Sequence, residues 1–123
     1  IKQVAVVSSV AAWRGLPMAA AYCSSKAALK SAIESIELDY SNTNVKFRLF
    51  YPGFVETPLT DKNDFKMPFI IKVNVAGEKI YKSIKQSNKF EISFPLRFTV
   101  LMKIISMLPW PLYKWLMLKK IKK

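Results

Sequence analysis

The chain of 123 residues contains no histidine and a single cysteine, Cys23. Histidine-based triads and histidine metal sites therefore have nothing to build on, and no disulfide can form within these residues, as expected of a reducing compartment. Cys23 reads as a small buried residue rather than a reactive thiol. Glycine is scarce as well. Gly15, Gly53 and Gly77 lie too far apart to form a glycine-rich turn that cradles a pyrophosphate at a helix N-terminus. No paired carboxylates stand at a spacing useful for acid–base chemistry, and none lies beyond Glu91.

What is present is concentrated around Tyr22 and Lys26. A cation four residues after a tyrosine stands beside it on one helix face. Leu29, Ile33, Ile36 and Tyr40 continue that row at steps of three and four, while Lys30, Glu34, Glu37 and Ser41 form the opposite, polar row. Lys26 is thus expected on the core-facing stripe, where an ammonium must be paired and its charge favours ionisation of a neighbouring phenol. A phenol tuned in this way can serve as acid and base.

The flanks supply the context. Ile1 to Val7 reads as a short apolar strand running into Ser8 and Ser9, with Trp13, Arg14, Gly15 and Pro17 in a loop before the helix. A second strand, Val45 to Tyr51, follows the helix and ends in Pro52-Gly53, then Phe54, Val55, Glu56, Thr57 and Pro58. Strand, helix and strand make one βαβ unit. Ligands of open α/β sheets bind beyond the carboxyl ends of the strands, where Ser9, Pro52, Gly53 and Thr57 fall.

At the segments SSVAAWRGLPMAAAYCSSKAAL and YPGFVETP the chain resembles the short-chain dehydrogenase/reductase family. The tyrosine-x-x-x-lysine motif is Tyr22 to Lys26, the family's serine 13 residues earlier selects Ser9 over Ser8, and the Pro-Gly turn with its threonine is Pro52, Gly53 and Thr57. The motifs cover Ile1 to about Thr60, and the rest follows by continuity. The resemblance implies an NAD- or NADP-dependent oxidoreductase that transfers a hydride between a nicotinamide cofactor and a ketone or secondary alcohol. In that scheme Tyr22 exchanges the proton with the substrate oxygen and Ser9 hydrogen-bonds the same oxygen. Lys26 contacts the cofactor ribose and stabilises the tyrosinate. Pro52, Gly53, Val55 and Thr57 line the nicotinamide pocket, although Thr57 also reads as a helix cap before Pro58. A homo-oligomer and a cytoplasmic location are further implied, and Trp13, Leu16 and Met18 hint at a hydrophobic, lipid-like substrate.

The implied fold class is α/β: residues 1–94 as the C-terminal part of a Rossmann-type doubly wound parallel sheet, and 95–123 as a basic, apolar helical extension. The chain reads as the C-terminal half of a longer enzyme, without the family's phosphate-binding half and inactive alone. The open edge of its first strand then calls for a neighbour. Thr60 to Met67 reads as a polar loop, placed where the family carries a lid. Asn74 is expected to cap a helix with Val73, Ala76, Ile80 and Ile84 facing inward, and Phe90 to Phe94 to form the last strand.

The net charge of +12 raises the question of nucleic acid, yet the basic groups beyond Glu91 (Arg97, Lys103, Lys114, Lys119, Lys120, Lys122 and Lys123) flank apolar, aromatic sequence. That pattern suits an anionic membrane surface better than phosphodiester, and lysine-rich coding bias explains part of the surplus. Lys103, Pro109 and Pro111 interrupt Phe94 to Leu118, which argues against a membrane span. A hairpin lying on a membrane is expected, with Thr99, Lys103 and Ser106 as a narrow polar stripe and Trp110, Tyr113 and Trp115 at the interface. The alternatives are helices that cover the substrate pocket or a partner subunit. A second functional class also stays open: a truncated, non-catalytic protein that binds a membrane or partner through this tail.

Overall fold

A computed structural model describes residues 2–56 and 69–121. Thr57, the loop from Thr60 to Met67 and the terminal lysines 122 and 123 lie outside the described residues.

The valine-rich segment Lys2–Val7 forms strand β1, and Val45–Pro52, with β-branched and aromatic residues throughout its length, forms β2. They pair in parallel, Lys2 opposite Val45 through Val7 opposite Phe50. Helix α1 (Ala20–Asp39) connects them: it contains neither glycine nor proline, and five alanines favour the helical state. Two short strands, β3 (Val55–Glu56) and β4 (Ile71–Lys72), pair separately. Helix α2 (Val73–Gln86) then leads to β5 (Glu91–Phe94), which joins the main sheet in the order β1-β2-β5, all parallel.

Period-two alternation along β2 divides the core into two layers. Phe47, Leu49 and Tyr51 meet Leu29, Ile33 and Ile36 of α1, together with Val10 and Ala12 of a single 3-10 turn. Phe50 points the other way, onto Ala76, Ile80 and Ile84 of α2 and Phe94 of β5. Helices thus cover both faces of a parallel sheet, as the family resemblance implies.

Three details of α1 and α2 differ from expectation. Lys72, not Asn74, is the N-cap residue of α2, and no side chain caps that end. Lys72 is still extended because it pairs with Glu56, so the helix can begin only after the strand ends, and Asn74 falls inside the first turn. Val73 is consequently exposed. Along α1 only the middle of the apolar row is well covered: Tyr22 and Tyr40 are about half exposed, Tyr40 with its ring against Phe47 of β2.

The C-terminal segment forms α3 (Leu96–Ser106) and α4 (Trp110–Ile121), with Pro111 in the first turn of α4, where a missing N–H costs nothing. Phe98 enters the main core with 4% of its surface exposed, so packing crosses the boundary between residues 94 and 95. Tyr113, expected at an interface, is instead buried, and its hydroxyl donates to the Gly15 carbonyl at 2.6 Å. No helix among the described residues is long and apolar enough to cross a membrane.

Candidate active site

The carboxyl ends of β1 and β2 lie side by side, joined by the Ser8 N–H donating to the Phe50 carbonyl at 2.8 Å. Ser8 and Ser9 extend from β1, and Pro52 and Gly53 from the end of β2. Helix α1 runs past this edge and brings Lys26 to it: its Nζ lies 3.5 Å from the Val7 carbonyl and 5.7 Å from the centroid of the Tyr22 ring. Tyr22 is 44% exposed, so its phenol is open to an incoming molecule. Lys26 is half-buried, and its one long contact with Val7 leaves ammonium hydrogens for a further acceptor.

The two serines are distinguished by their partners. The Ser8 hydroxyl donates to the Lys26 carbonyl at 3.2 Å and so ties β1 to α1. Ser9 caps the 3-10 turn Val10–Ala12, its oxygen accepting the Ala11 N–H at 3.1 Å. As an acceptor, Ser9 keeps its hydroxyl hydrogen for donation, whereas the hydrogen of Ser8 is already engaged. Ser9, the serine that the motif spacing selects, is thus the one of the two whose hydroxyl hydrogen is not engaged.

Gly53 has a role that its motif does not suggest. Its N–H donates to the Phe94 carbonyl at 2.9 Å, and a Cβ built there would lie 2.6 Å from the Phe98 ring. The small residue lets α3 approach the end of the sheet. Val55 pairs with Ile71 and packs on the layer formed by Phe50, Ala76 and Phe94. Thr57 lies outside the described residues. Cys23 is buried, with its sulfur accepting the Leu16 N–H at 3.4 Å.

The loop between Ser9 and Tyr22 is held by the C-terminal helices. Arg14 donates to the carbonyls of Ser106, at 3.0 Å, and Leu108, and its guanidinium lies 4.2 Å from the Tyr113 ring centroid. Burial raises the Tyr113 pKa above its ordinary value, opposed by the charge of Arg14. Trp13 tilts against Tyr51 at 5.2 Å and lies under Lys103. With Tyr51, Glu91, Ser93, Thr99 and Lys103 it lines a cavity of about 230 Å³ that none of Ser9, Tyr22 and Lys26 reaches. Sequence reasoning missed the Arg14 clamp because its acceptors are backbone carbonyls more than 90 residues away.

Comparison with known proteins agrees with this fold. An uncharacterized oxidoreductase of Myxococcus xanthus is 41% identical over 107 residues, which cover 87% of this chain and 42% of that protein. A 3beta-hydroxysteroid dehydrogenase of Mediterraneibacter gnavus is 39% identical over 57 residues, 46% of this chain and 21% of that protein. The chain therefore spans less than half the length of these relatives. Among solved structures, a 4-hydroxyisoleucine dehydrogenase mutant complexed with NADH and succinate shares the fold with a TM-score of 0.61 at 20% identity, over 76% of this chain and 46% of that one. The family model for short chain dehydrogenases matches residues 3–67, more than half of the chain and all but the first residue of the strand–helix–strand unit that carries Tyr22 and Lys26, so the chain belongs to the short-chain dehydrogenase family.

Proposed function

We propose that this chain carries the proton-transfer half of an NAD(P)-dependent oxidoreductase acting on a ketone or secondary alcohol. The observation that supports the reading is the Lys26 ammonium 5.7 Å from the ring of half-exposed Tyr22, on the helix that passes the carboxyl ends of two parallel strands, from the first of which Ser9 follows. Tyr22 gives a proton to the substrate oxygen in reduction and removes it in oxidation. Ser9 donates a hydrogen bond to that oxygen, where negative charge develops. Lys26 offers its remaining hydrogens to a cofactor's ribose hydroxyls, and Pro52, Gly53, Val55 and Thr57 form the neighbouring wall. A bound nicotinamide cofactor supplies the hydride.

The hydroxysteroid activity named for one relative, together with exposed Met18 and half-buried Leu16, supports a hydrophobic substrate. Unpaired Cys23 supports a cytoplasmic location, and the family supports a homo-oligomer.

The test is oxidation of NADH and of NADPH against medium- and long-chain ketones and 3-ketosteroids, using the longest chain the coding sequence encodes. Tyr22→Phe should lower turnover roughly a hundredfold to ten-thousandfold. Ser9→Ala should lower it roughly a hundredfold or more, while Ser8→Ala stays much closer to the parent. Turnover undiminished in Tyr22→Phe would refute the reading.

A further inference from the structure

The helix pair α3–α4 buries Phe98, Thr99, Ile105 and Tyr113 on its inner side and leaves a second set of apolar side chains on its outer side. Thr99 is 1% exposed and bonded to Ser93, the carbonyl of Ser106 is held by Arg14, and Lys103 lies 4.8 Å from the Trp13 ring centroid. Along the outer side of α3, Leu96, Val100, Ile104 and Met107 recur at steps of four, four and three, all more than half exposed, with Val100 at the rim of the cavity lined by Thr99 and Lys103. Trp110 and Trp115 of α4 are likewise more than half exposed. Isolated apolar side chains on a surface are ordinary, but a contiguous apolar helix face marks a place of contact.

The charges around this face decide what it contacts. Arg97, Lys114 and Lys119 are exposed on the two helices, and the sequence has no acidic residue beyond Glu91. A second copy would bring the same positive charge to the same apolar face, which opposes self-association through it. An anionic bilayer meets both features, accepting apolar side chains below its headgroups and basic ones among its phosphates. Tryptophan is favoured at that level. Helices of 11 and 12 residues, about 16–18 Å long at 1.5 Å per residue, fall well short of a ~30 Å hydrocarbon core, so the pair can lie in the interface but not span it.

We propose that the outward side of α3–α4 docks on an anionic lipid surface, with Ile104, Met107 and Trp115 in the acyl boundary and Arg97, Lys114 and Lys119 on the headgroups. The pair is firmly seated for this, through Phe98 in the core, the Arg14 clamp and the Tyr113 bond to Gly15. Those contacts also place the loop between Ser9 and Tyr22 next to the docked helices.

The experiment is flotation of the longest encoded chain with vesicles of phosphatidylcholine alone and of phosphatidylcholine mixed with phosphatidylglycerol. Binding to the anionic vesicles should exceed binding to the neutral ones by about tenfold or more and should weaken as salt is raised. The double variants Ile104→Glu with Trp115→Glu, and Lys114→Glu with Lys119→Glu, should each lose it while keeping the parent circular dichroism. Equal partitioning of parent and variants would overturn the proposal. So would vesicle binding that is absent while the Ile104→Glu variant turns an oligomer into monomers, which would make a second copy the occupant. Flotation needs no turnover: a chain that floats but does not reduce ketones refutes only the reductase reading, and one that reduces ketones but does not float refutes only this one.

Discussion

Strand β2 and the helix pair α3–α4 are both rich in apolar residues, yet they treat polar groups and solvent in opposite ways. From Phe47 to Tyr51 every residue of β2 is buried, and the sequence places an arginine among them. Arg48 is tolerated at 2% exposure because its guanidinium donates to the Lys89 carbonyl at 2.7 Å, the Ser83 carbonyl at 2.7 Å and Gln3 Oε1 at 2.9 Å. In α3–α4 Phe98, Thr99, Ile105 and Tyr113 are inside, with the Thr99 and Tyr113 hydroxyls bonded, but a second set of apolar side chains faces out beside exposed Arg97, Lys103, Lys114 and Lys119. Burial of a polar group therefore follows the partners that the fold supplies. Exposure of an apolar one marks a face that the rest of the described chain does not cover.

The sharpest way to break this contrast is Arg48→Met, which removes three charge-assisted donors and leaves two backbone carbonyls without them. It should cost about 3–5 kcal/mol in urea unfolding. A loss under about 1 kcal/mol would show that water replaces the guanidinium and that β2 is not sealed. Gly53→Ala tests the seam between the two regions, because the added methyl meets the Phe98 ring, itself almost fully buried. A cost of about 1–3 kcal/mol is expected from overpacking, with a lower thermal midpoint.

The smallest effect at neutral pH should come from Tyr51→Phe, which deletes the 2.7 Å bond to Glu91 and costs about 1–2 kcal/mol. Its pH dependence is more informative. Burial first, then the hydrogen bond to Glu91 and that carboxylate's negative charge, hold the Tyr51 pKa above its ordinary value. Above about pH 10 the unfolded chain releases the phenolic proton while the folded chain keeps it, so stability falls as pH rises through that value. Tyr51→Phe should lose less stability than the parent between pH 9 and 11, roughly the span over which a free phenol titrates, in unfolding followed by circular dichroism. Parallel profiles for the two proteins would show that Tyr51 is not sealed.

Much of the site is local and so was legible in the sequence. An i to i+4 step on a helix brings Lys26 beside Tyr22, and apolar runs bounded by turn residues mark β1 and β2. The alternation that divides the core of β2 is likewise carried by neighbouring residues. Asn74 misled because capping depends on where the preceding strand stops pairing, and Tyr113 because its acceptor, Gly15, is 98 residues away.

By itself the sequence determined the strand–helix–strand unit, the Tyr22–Lys26 face and the run of basic, acid-free residues toward its end, since each depends only on residues a few positions apart. Tertiary structure alone decided that Ser8 commits its hydroxyl hydrogen to Lys26 while Ser9 keeps its own, that Gly53 makes room for Phe98, and that Phe98 and Tyr113 face inward while Leu96, Ile104 and Met107 face out. Those outcomes rest on contacts between segments distant in the chain, where hydrogen-bond partners and excluded volume, rather than periodicity, set which group faces which.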